Sequence, residues 1–510
     1  MHALAPLVIA VMFVSLLLDS IAVPRAPWRR HWRPLALHAS AIAFIGALVM
    51  LVTARPIFSS CIALAVTALL SVVSNAKYES LREPFVFTDL SLFSQLFEHP
   101  RLYLPFLSVG KVVSIGFGVI AVVAGFVVET PLPSREPMLI ILTLVASMLA
   151  ATRLAARLPL ALDPVADQGR FGFFAVFVAY LLNGLRRSTF LQVQRVSGMG
   201  LRALGEPEPG PDVIVVQSES FFDIRRIGVP VDPRVYENFD RVRRDAVVSG
   251  ELTVPAWGAN TMRTEFAMLT GLTQADLGYA RFYPYAFLRR AFASLATWFV
   301  RAGYSTIAIH PYYAGFFGRR RAFPLLGFER FLDIAHFADS CRAGAYIADD
   351  AVADKIIDQL KCEPATPIFI FAMTMENHGP LHLEQVRSGE AERVHGLGEA
   401  PIWRDLTAYL RHVENADRMI RKLTDYLLNR SKPTVLCFYG DHVPALPAVY
   451  VELGRTPTRS NYFVWRNYGN SQNEQLNVSV EKLGLVLRNS IHSSEAGEAT
   501  ALASQMTIQK

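Results

Sequence analysis

The sequence predicts an α-helical membrane bundle followed by an α/β domain with a mostly parallel central sheet. Long uncharged apolar runs are confined to residues 1–187 of the 510-residue chain. Residues 211–468 instead alternate short apolar, β-branched runs with helical stretches, as expected of strands buried on both faces of a parallel sheet. The overall composition, 52% hydrophobic and 18% charged, is too apolar for one soluble protein and fits two chemically different halves.

Six segments of the first half are candidate membrane spans, because a bilayer core needs about 20 apolar residues per helix. They cover residues 3–23, 35–54, 56–75, 108–128 and 137–151, with a shorter sixth at 171–185. No basic region precedes the first segment and no small-residue cleavage site follows it, so we predict an uncleaved span. Residues 188–210 are expected to link the bundle to the domain at 211–468, and residues 469–510 to form a peripheral polar tail.

The positions of arginines give the predicted orientation. Four of them lie in the loop Pro24–Pro34, which is therefore expected in the cytoplasm, with the N-terminus outside. A second domain outside the membrane then requires residues 171–185 to cross, and the basic loops favour this six-span arrangement. An interfacial helix at 171–185 is the alternative, and it would reverse the side of every loop.

The charge distribution and the cysteine spacing argue against a nucleic-acid-binding protein and against a cysteine zinc site. The net charge of +6 comes largely from arginines at the ends of apolar segments, and no basic patch with interleaved aromatics is present, so we predict no nucleic-acid partner. The four cysteines form no CxxC or zinc-finger spacing. Cys341 and Cys362 either form a disulfide or are free thiols, and the sequence is compatible with both.

Polar residues follow the predicted strands of the second half at the point where each strand ends. The strands are Val213–Gln217, Ser305–Ile309, Pro367–Met373, Thr434–Tyr439 and Tyr462–Trp465. Four of the exits carry Glu219, His310, the run Glu376–His378, and the pair Asp441 and His442. Ligands bind beyond the carboxyl ends of the strands in such sheets, so these side chains are expected to meet at one edge.

A mixed set of oxygen and nitrogen ligands at that edge indicates a metal site. We predict Glu219, Asp441 and His442 as ligands of a borderline divalent cation such as Mn²⁺ or Zn²⁺. Mg²⁺ would prefer oxygen ligands and several waters.

Two further segments can supply a nucleophile and a phosphate-binding group. Thr261 lies near the start of an apolar-periodic helix in WGANTMRTEFAMLTGL, where free N–H groups favour a phosphate. Beside a metal its hydroxyl is a workable nucleophile, although an N-cap is the simpler role for a threonine there. The run Arg319–Arg321, which follows the aromatic residues Tyr312, Tyr313, Phe316 and Phe317, can grip a phosphate or form a solvated basic loop.

Five ordered motifs in the second half resemble those of lipoteichoic acid synthases and related phosphoglycerol transferases, a branch of the sulfatase/alkaline-phosphatase superfamily. They are VIVVQSESFFD, NTMRTEFAMLTGL, GYSTIAIHPYY with GFFGRR, ENHGPL and YGDH. The resemblance covers residues 211–468, and a membrane anchor of several spans before it also fits. It implies an alkaline-phosphatase-like fold for this domain.

The same resemblance assigns roles to individual residues. It implies metal coordination by Glu219, Thr261, Asp441 and His442, with Thr261 as the nucleophile, and substrate contacts from His310, Arg319 and His378. His378 is also expected to move a proton. Phe317 stands where the lipoteichoic acid enzymes usually have tryptophan, so an aromatic wall remains without an indole donor. The sulfatase signature Cys/Ser-x-Pro-x-Arg is absent around Thr261, which argues against sulfate-ester hydrolysis.

The expected function is transfer of a phosphoglycerol group from phosphatidylglycerol to an envelope glycan or glycolipid, with Mn²⁺ as the metal. The expected location is the bacterial cytoplasmic membrane, with the catalytic domain outside the cell's cytoplasm. The alternatives are a phosphoethanolamine transferase, a phosphodiesterase, and, more remotely, a non-catalytic membrane assembly or transport protein.

Overall fold

The structure, a computed structural model, describes residues 4–92, 109–131, 137–362, 366–470 and 473–492. The chain divides into two compact units between Phe190 and Leu191. Residues 3 and 108 of two predicted spans, and the predicted tail beyond His492, lie outside the described residues. Helices of the first unit are Leu4–Asp19, Trp32–Thr53, Pro56–Leu81, Val109–Val128, Pro137–Ala156, Pro164–Phe171, Phe173–Gly184 and the start of Arg187–Arg195.

Three helices of the first unit are long and apolar enough to cross a membrane: Trp32–Thr53, Pro56–Leu81 and Pro137–Ala156. The helix Val109–Val128 exposes a nearly continuous apolar surface, including Phe117 and Ile120. Large exposed apolar surface of this kind is stable in lipid and not in water. The chain is therefore an integral membrane protein with an N-terminal helical anchor.

The segment predicted as a short sixth span forms a helix that is shorter than a usual span. This helix, Phe173–Gly184, has 12 residues, of which ten are buried. A bilayer core needs about 20 apolar residues, so a crossing at this segment stays a prediction. The break before it comes from Gly172, whose φ of +90° ends the preceding helix. The interfacial alternative fits these dimensions better than a crossing does.

The second unit is built on a nine-stranded mixed sheet. Its strands are β1 (Asp212–Ser218), β2 (Val248–Thr253), β3 (Ser305–Ile309), β4 (Arg330–Leu332), β7 (Ile368–Met373), β8 (Thr434–Gly440), β9 (Arg459–Arg466), β10 (Glu474–Gln475) and β11 (Val478–Ser479), and a separate hairpin holds β5 (Arg342–Ala343) and β6 (Tyr346–Ile347). The order is β10-β2-β9-β8-β1-β7-β3-β4, with β11 also on β2. Strands β8, β1, β7, β3 and β4 are parallel, whereas β9 is antiparallel to both of its neighbours.

Helices cover the faces of this sheet. They are Glu237–Arg244, Thr261–Thr270, Gln274–Leu277, Pro284–Phe287, Leu295–Arg301, Arg319–Leu325, Asp349–Lys361, Glu390–Val394, Arg404–Leu428, Pro447–Glu452 and Val480–His492. The central strands are buried along their whole length, and Ile214, Ile370 and Leu436 lie in one apolar core with helix Arg404–Leu428. Burial on both faces explains why these strands read as continuous apolar runs.

Helix Leu295–Arg301 starts where Ser294 forms a capping box with Thr297. The predicted linker contains a short helical turn, Met199–Leu204.

The segment predicted as a peripheral tail continues the second unit as far as His492. Strands β10 and β11 extend the sheet at β2, and helix Val480–His492 buries Leu483 and Leu487. The sequence shows only one short amphipathic piece in this tail, Val478–Leu487, surrounded by polar residues. All four cysteines are free thiols, including Cys341 and Cys362.

Candidate metal and catalytic site

Parallel pairing brings the polar strand exits to one edge of the sheet. Strand β1 lies between β7 and β8, and its Ser218 is in register with Gly440 of β8. The next residue on each strand is therefore Glu219 on one side and Asp441 on the other. A Cβ at Gly440 would lie 1.9 Å from the carbonyl oxygen of Phe221, so only glycine permits this approach of the two exits.

Glu219, Asp441 and His442 form a compact buried cluster. One ligand atom from each residue lies within 4.8 Å of the others. His442 Nε2 is 3.4 Å from Glu219 Oε1 and 3.4 Å from Asp441 Oδ2. The three residues predicted as metal ligands are thus brought together, and they form a candidate site for a divalent metal.

The hydrogen bonds of the cluster leave its inward atoms free for a cation. The backbone N–H groups of Ser220 and His442 both donate to Asp441 Oδ1 at 2.8 Å. Asp441 Oδ2 and His442 Nε2 are buried atoms without a hydrogen-bond partner among the described residues. Burial, with the charge of Asp441, raises the pKa of Glu219 to about 8. A cation among these atoms would provide a partner for Asp441 Oδ2 and His442 Nε2, and it would keep the carboxylates of Glu219 and Asp441 ionised.

Thr261 begins the helix Thr261–Thr270 beside this cluster. Its Oγ1 lies 3.5 Å from Glu219 Oε2. The N-cap position belongs to Asn260, which has a left-handed φ of 67° and makes no side-chain cap. Thr261 therefore does not act as the N-cap. Its hydroxyl faces Glu219 at the positive end of the helix, where an anionic phosphate is stabilised.

The helix of Thr261 is tied to the metal edge one turn further on. Thr264 Oγ1 donates to the carbonyl of Asp441 at 2.8 Å. This bond fixes the helix of Thr261 against the exit of β8.

A second buried cluster joins the same helix to the basic segment. Glu265 and Arg319 are both fully buried and form an ion pair at 2.8 Å. Tyr285 donates its hydroxyl hydrogen to the same carboxylate. The sequence signalled Arg319 but not Glu265 or Tyr285, because charge and spacing alone do not show which residues a tertiary fold will pair.

Arg319 also contacts His310. Its Nη1 lies 3.2 Å from His310 Nε2. Burial and the adjacent guanidinium hold the pKa of His310 well below its usual range, so the ring is neutral and Nε2 accepts. The proton then resides on Nδ1, which is buried and lacks a partner among the described residues. His310 can therefore donate one hydrogen bond to a bound ligand.

Phe317 lies against the Arg319 guanidinium, which is 5.3 Å from the ring centroid. Its φ of 53° is unusual for a residue with a side chain and turns the backbone sharply before Gly318. Tyr283 packs edge-on at 6.3 Å on the same ring. The aromatic wall predicted from the sequence is present as this pair of rings.

His378 is held by its neighbouring backbone. Its Nδ1 is 2.7 Å from the carbonyl of Gly379, which places the proton on Nδ1 and leaves Nε2 as an acceptor. Burial lowers the pKa of His378, and the charges of Asp441 and Arg319 also act on it. The ring is neutral near pH 7, as a general base requires.

Glu376, two residues before His378, supports the loop rather than binding the metal. Its carboxylate accepts hydrogen bonds from His412 Nδ1 at 2.9 Å, from the Asn415 amide and from the Asp349 backbone at 2.8 Å. These contacts anchor the His378 loop to two helices of the core.

Comparison with known proteins places the catalytic unit in a family. Residues 211–484 match the family model for sulfatases. The capsular polysaccharide biosynthesis protein RkpI of Rhizobium meliloti is 30% identical over 452 residues, which cover 83% of this chain and 80% of that protein. A putative cyclic beta-1,2-glucan modification protein of the same organism is 31% identical over 244 residues, which cover 48% of this chain and 37% of that protein.

A solved structure matches both units together. The integral membrane protein lipooligosaccharide phosphoethanolamine transferase A of Neisseria meningitidis has a TM-score of 0.54 and 15% identity, with 95% of this chain and 96% of that chain covered. At this identity the likeness concerns the fold, a helical membrane anchor followed by an α/β domain. With the family match over more than half of its length, the chain belongs to the sulfatase family, within the sulfatase/alkaline-phosphatase superfamily.

Proposed function

We propose that this protein transfers a phosphoglycerol group from phosphatidylglycerol to an envelope glycan or glycolipid through a phosphothreonine at Thr261. One observation carries the proposal. The Thr261 hydroxyl stands at a helix N-terminus, 3.5 Å from Glu219, beside the buried cluster that Glu219 forms with Asp441 and His442. Phosphoryl transfer is supported because a hydroxyl nucleophile, a set of metal ligands and the positive end of a helix lie in one place.

Glu219, Asp441, His442 and Thr261 would hold the metal, which we propose to be Mn²⁺. A divalent cation bound there would lower the pKa of the threonine hydroxyl and neutralise charge on the transferring phosphoryl group. The mixed oxygen and nitrogen donors suit Mn²⁺ or Zn²⁺ better than Mg²⁺. The motif resemblance to phosphoglycerol transferases favours Mn²⁺ between these two.

In the first step, Thr261 Oγ1 forms a bond to the phosphorus and the bond from phosphorus to the diacylglycerol oxygen breaks. The proton lost by the Thr261 hydroxyl ends on the leaving oxygen, so the lipid leaves as neutral diacylglycerol. His310 Nδ1–H, the neighbouring Arg319 and the N–H groups at the start of helix Thr261–Thr270 would stabilise the negative charge on the phosphoryl oxygens.

In the second step, a hydroxyl of the acceptor attacks the same phosphorus. His378 Nε2 takes the proton of that hydroxyl, because its other nitrogen already donates to Gly379. The bond from phosphorus to Thr261 Oγ1 breaks, and the threonine regains a proton. Phosphoglycerol ends on the acceptor and the enzyme returns to its starting state.

The charges around the site favour a neutral glycerol head over an ethanolammonium head. Glu265 is already shared between Arg319 and Tyr285, and Glu376 is engaged by His412 and Asn415. Each of these buried carboxylates therefore has partners of its own, and an added ammonium group would have to displace them. A phosphoethanolamine donor remains the nearest alternative, as in the protein from Neisseria.

The acceptor is proposed to be a surface polysaccharide or a periplasmic glucan. The names of the two Rhizobium relatives concern capsular polysaccharide biosynthesis and cyclic glucan modification. Both names refer to carbohydrates. We accordingly propose that the catalytic unit faces outward from the bacterial cytoplasmic membrane, where tethering keeps it near its lipid donor.

The direct test is donor use by the purified full-length protein. The protein with Mn²⁺ is incubated with fluorescent phosphatidylglycerol, and separately with fluorescent phosphatidylethanolamine, and diacylglycerol is followed. Release from phosphatidylglycerol alone is expected. Release only from phosphatidylethanolamine would replace the proposed donor, and transfer to water alone when glucan is supplied would indicate a phosphodiesterase.

A further inference from the structure

The short helix Phe173–Gly184 makes polar contacts with the ends of two other membrane helices. The backbone N–H of Phe174 donates to the Asp19 carboxylate at 2.7 Å, where helix Leu4–Asp19 ends. The Asn183 side chain donates to the carbonyl of Ala155 at 2.9 Å, in the last turn of helix Pro137–Ala156. The short helix thus runs between helix ends rather than along the bundle.

Both of these ends lie on the side of the bundle where helix Trp32–Thr53 begins. His38, in the second turn of that helix, packs edge-on against Phe174 with ring centroids 5.0 Å apart. Gln168, just before the short helix, donates to the carbonyl of Pro24 at 2.9 Å. The segment just before the short helix is therefore bound to the loop that contains Pro24.

Glu129 marks the opposite end of the bundle. Its carboxylate accepts hydrogen bonds from the N–H groups of Ile57 and Phe58, at 3.0 and 2.6 Å, where helix Pro56–Leu81 begins. Among the described residues, four helices of 20 to 26 residues lie between the Pro24 loop and the short helix. At 1.5 Å per residue each is about 30 to 39 Å long, enough to cross a bilayer. A crossing by each of these four described helices returns the chain to the face where it started.

We propose that residues 24–33, the arginine–tryptophan loop, lie on the membrane face from which the catalytic unit emerges and bind the anionic head groups of phospholipids there. The proposal rests on the proposed function, because phosphatidylglycerol, the donor, would be the anionic lipid of that face. It reverses the cytoplasmic side predicted from the arginines. One reason is that Arg30 is neutralised by Asp19 and so contributes little to the orienting charge.

The loop is held in place from both sides. Asn75 Oδ1 accepts from the backbone N–H of Val23 at 2.8 Å, and Gln168 binds the carbonyl of Pro24. The ion pair of Arg30 with Asp19 holds its other half. A loop fixed in this way loses little conformational entropy when a ligand binds.

The side chains that the loop exposes suit a lipid surface. Trp28 and Trp32 are 63% and 61% exposed, and tryptophan concentrates at the level of the head groups in membrane proteins. Arg25 and Arg29 are exposed and have no hydrogen-bond or ion-pair partner among the described residues. The two free guanidinium groups of the loop would attract an anionic head group, and the two exposed indoles would insert beside it.

Cysteine labelling tests the side of the membrane. Cys61, Cys341 and Cys362 are replaced by alanine, and buried Cys437 is kept. A cysteine is then introduced as Ala26→Cys in the loop or as Thr130→Cys at the opposite end. An impermeant maleimide should label Ala26→Cys on intact spheroplasts and Thr130→Cys only after lysis. The reverse pattern would overturn the proposal.

Fluorescence quenching tests lipid choice without requiring activity. The full-length protein in lipid nanodiscs is exposed to phosphatidylglycerol or phosphatidylcholine spin-labelled near the head group. The fluorescence of the loop tryptophans is obtained as the difference between the wild type and the variant Trp28→Phe/Trp32→Phe. Stronger quenching by the phosphatidylglycerol probe is expected, and it should disappear in Arg25→Gln/Arg29→Gln. Equal quenching by the two lipids would refute an anionic site.

Kinetics on mixed vesicles tests the role in turnover. In Arg25→Gln/Arg29→Gln the KM for phosphatidylglycerol should rise about 30-fold with kcat unchanged, from about 1 kcal/mol per arginine. The control Arg301→Gln/Arg455→Gln removes the same charge from exposed positions of the catalytic unit and should leave KM unchanged. An unchanged KM in the loop variant would refute a role of the loop in binding the phosphatidylglycerol donor. Absent diacylglycerol release by the wild type would instead refute the proposed function, and the labelling and quenching would still decide the loop.

Discussion

The guanidinium of Arg319 is held by the carboxylate of Glu265 through three hydrogen bonds of 2.8 to 3.2 Å. Glu265 lies one turn after Thr261 on the same helix. Thr261, the proposed nucleophile, and the arginine that faces His310 are therefore fixed relative to each other by a buried ion pair. Such a pair orients charge at the cost of desolvating it.

Replacement of Glu265 by glutamine should reduce both stability and activity. The change leaves Arg319 as a buried charge without its counter-ion, which destabilises proteins by about 3 to 5 kcal/mol. A lower thermal midpoint and a large loss of kcat are expected in the full-length protein. A variant with normal stability and normal kcat would contradict the role given to the pair.

The double variant Glu265→Met/Arg319→Met separates the two effects. Replacing both charges with apolar side chains of similar volume is often neutral for stability. The thermal midpoint should recover toward the wild-type value while activity stays low, because the site lacks its guanidinium. Recovery of activity together with stability would show that Arg319 acts only in folding.

The pH dependence of turnover should reflect His378. Burial lowers its pKa below the ordinary value of about 6.5, so the neutral, proton-accepting form persists at lower pH than for a free histidine. The acidic limb of the kcat profile should therefore lie below pH 6.5, with activity rising as pH increases through it. A limb centred above pH 6.5 would contradict a neutral buried base.

Replacement of His378 by glutamine should affect the two steps unequally. The first step does not use His378 as a base, so about one equivalent of diacylglycerol per enzyme should still be released. The second step should then be slow, by roughly the hundredfold or more that a general base contributes. Loss of the initial burst together with turnover would assign His378 to the first step.

Removal of one metal ligand should abolish stabilisation by Mn²⁺. A ligand at 100 times its dissociation constant stabilises the folded state by about 2.7 kcal/mol, which raises the thermal midpoint. Asp441→Asn should lose this rise. Asp350→Asn, an exposed carboxylate paired with Lys422, is the control and should keep it. An unchanged rise in Asp441→Asn would place the metal elsewhere.

The sequence predicted those residues of the site whose position follows from the local sequence pattern. Glu219 and Asp441 directly follow buried parallel strands, and the ends of such strands meet at one edge whatever the rest of the fold does. The structure brings these two residues within reach of His442. Glu265 could not be assigned in this way, because its partner Arg319 is 54 residues away and only the packed helices bring them together.

Two other features depend on tertiary contacts that a local pattern does not contain. The apolar run at 171–185 reads as a short span, whereas in the structure its helix has only 12 residues and ten of them are buried. The helix Val480–His492 reads as part of a polar tail, although Leu483 and Leu487 pack into the catalytic unit. Apolar length in the first case and mean polarity in the second were poor guides to burial.

The most direct test is to trap the covalent intermediate. The full-length protein with Mn²⁺ is incubated with phosphatidylglycerol in the absence of any acceptor, quenched in acid, and analysed by peptide mass spectrometry. One phosphoglycerol group on Thr261 of the wild type is expected, with neither adduct nor diacylglycerol from Thr261→Ala. Continued diacylglycerol release by Thr261→Ala, or a modified residue other than Thr261, would contradict the proposed mechanism.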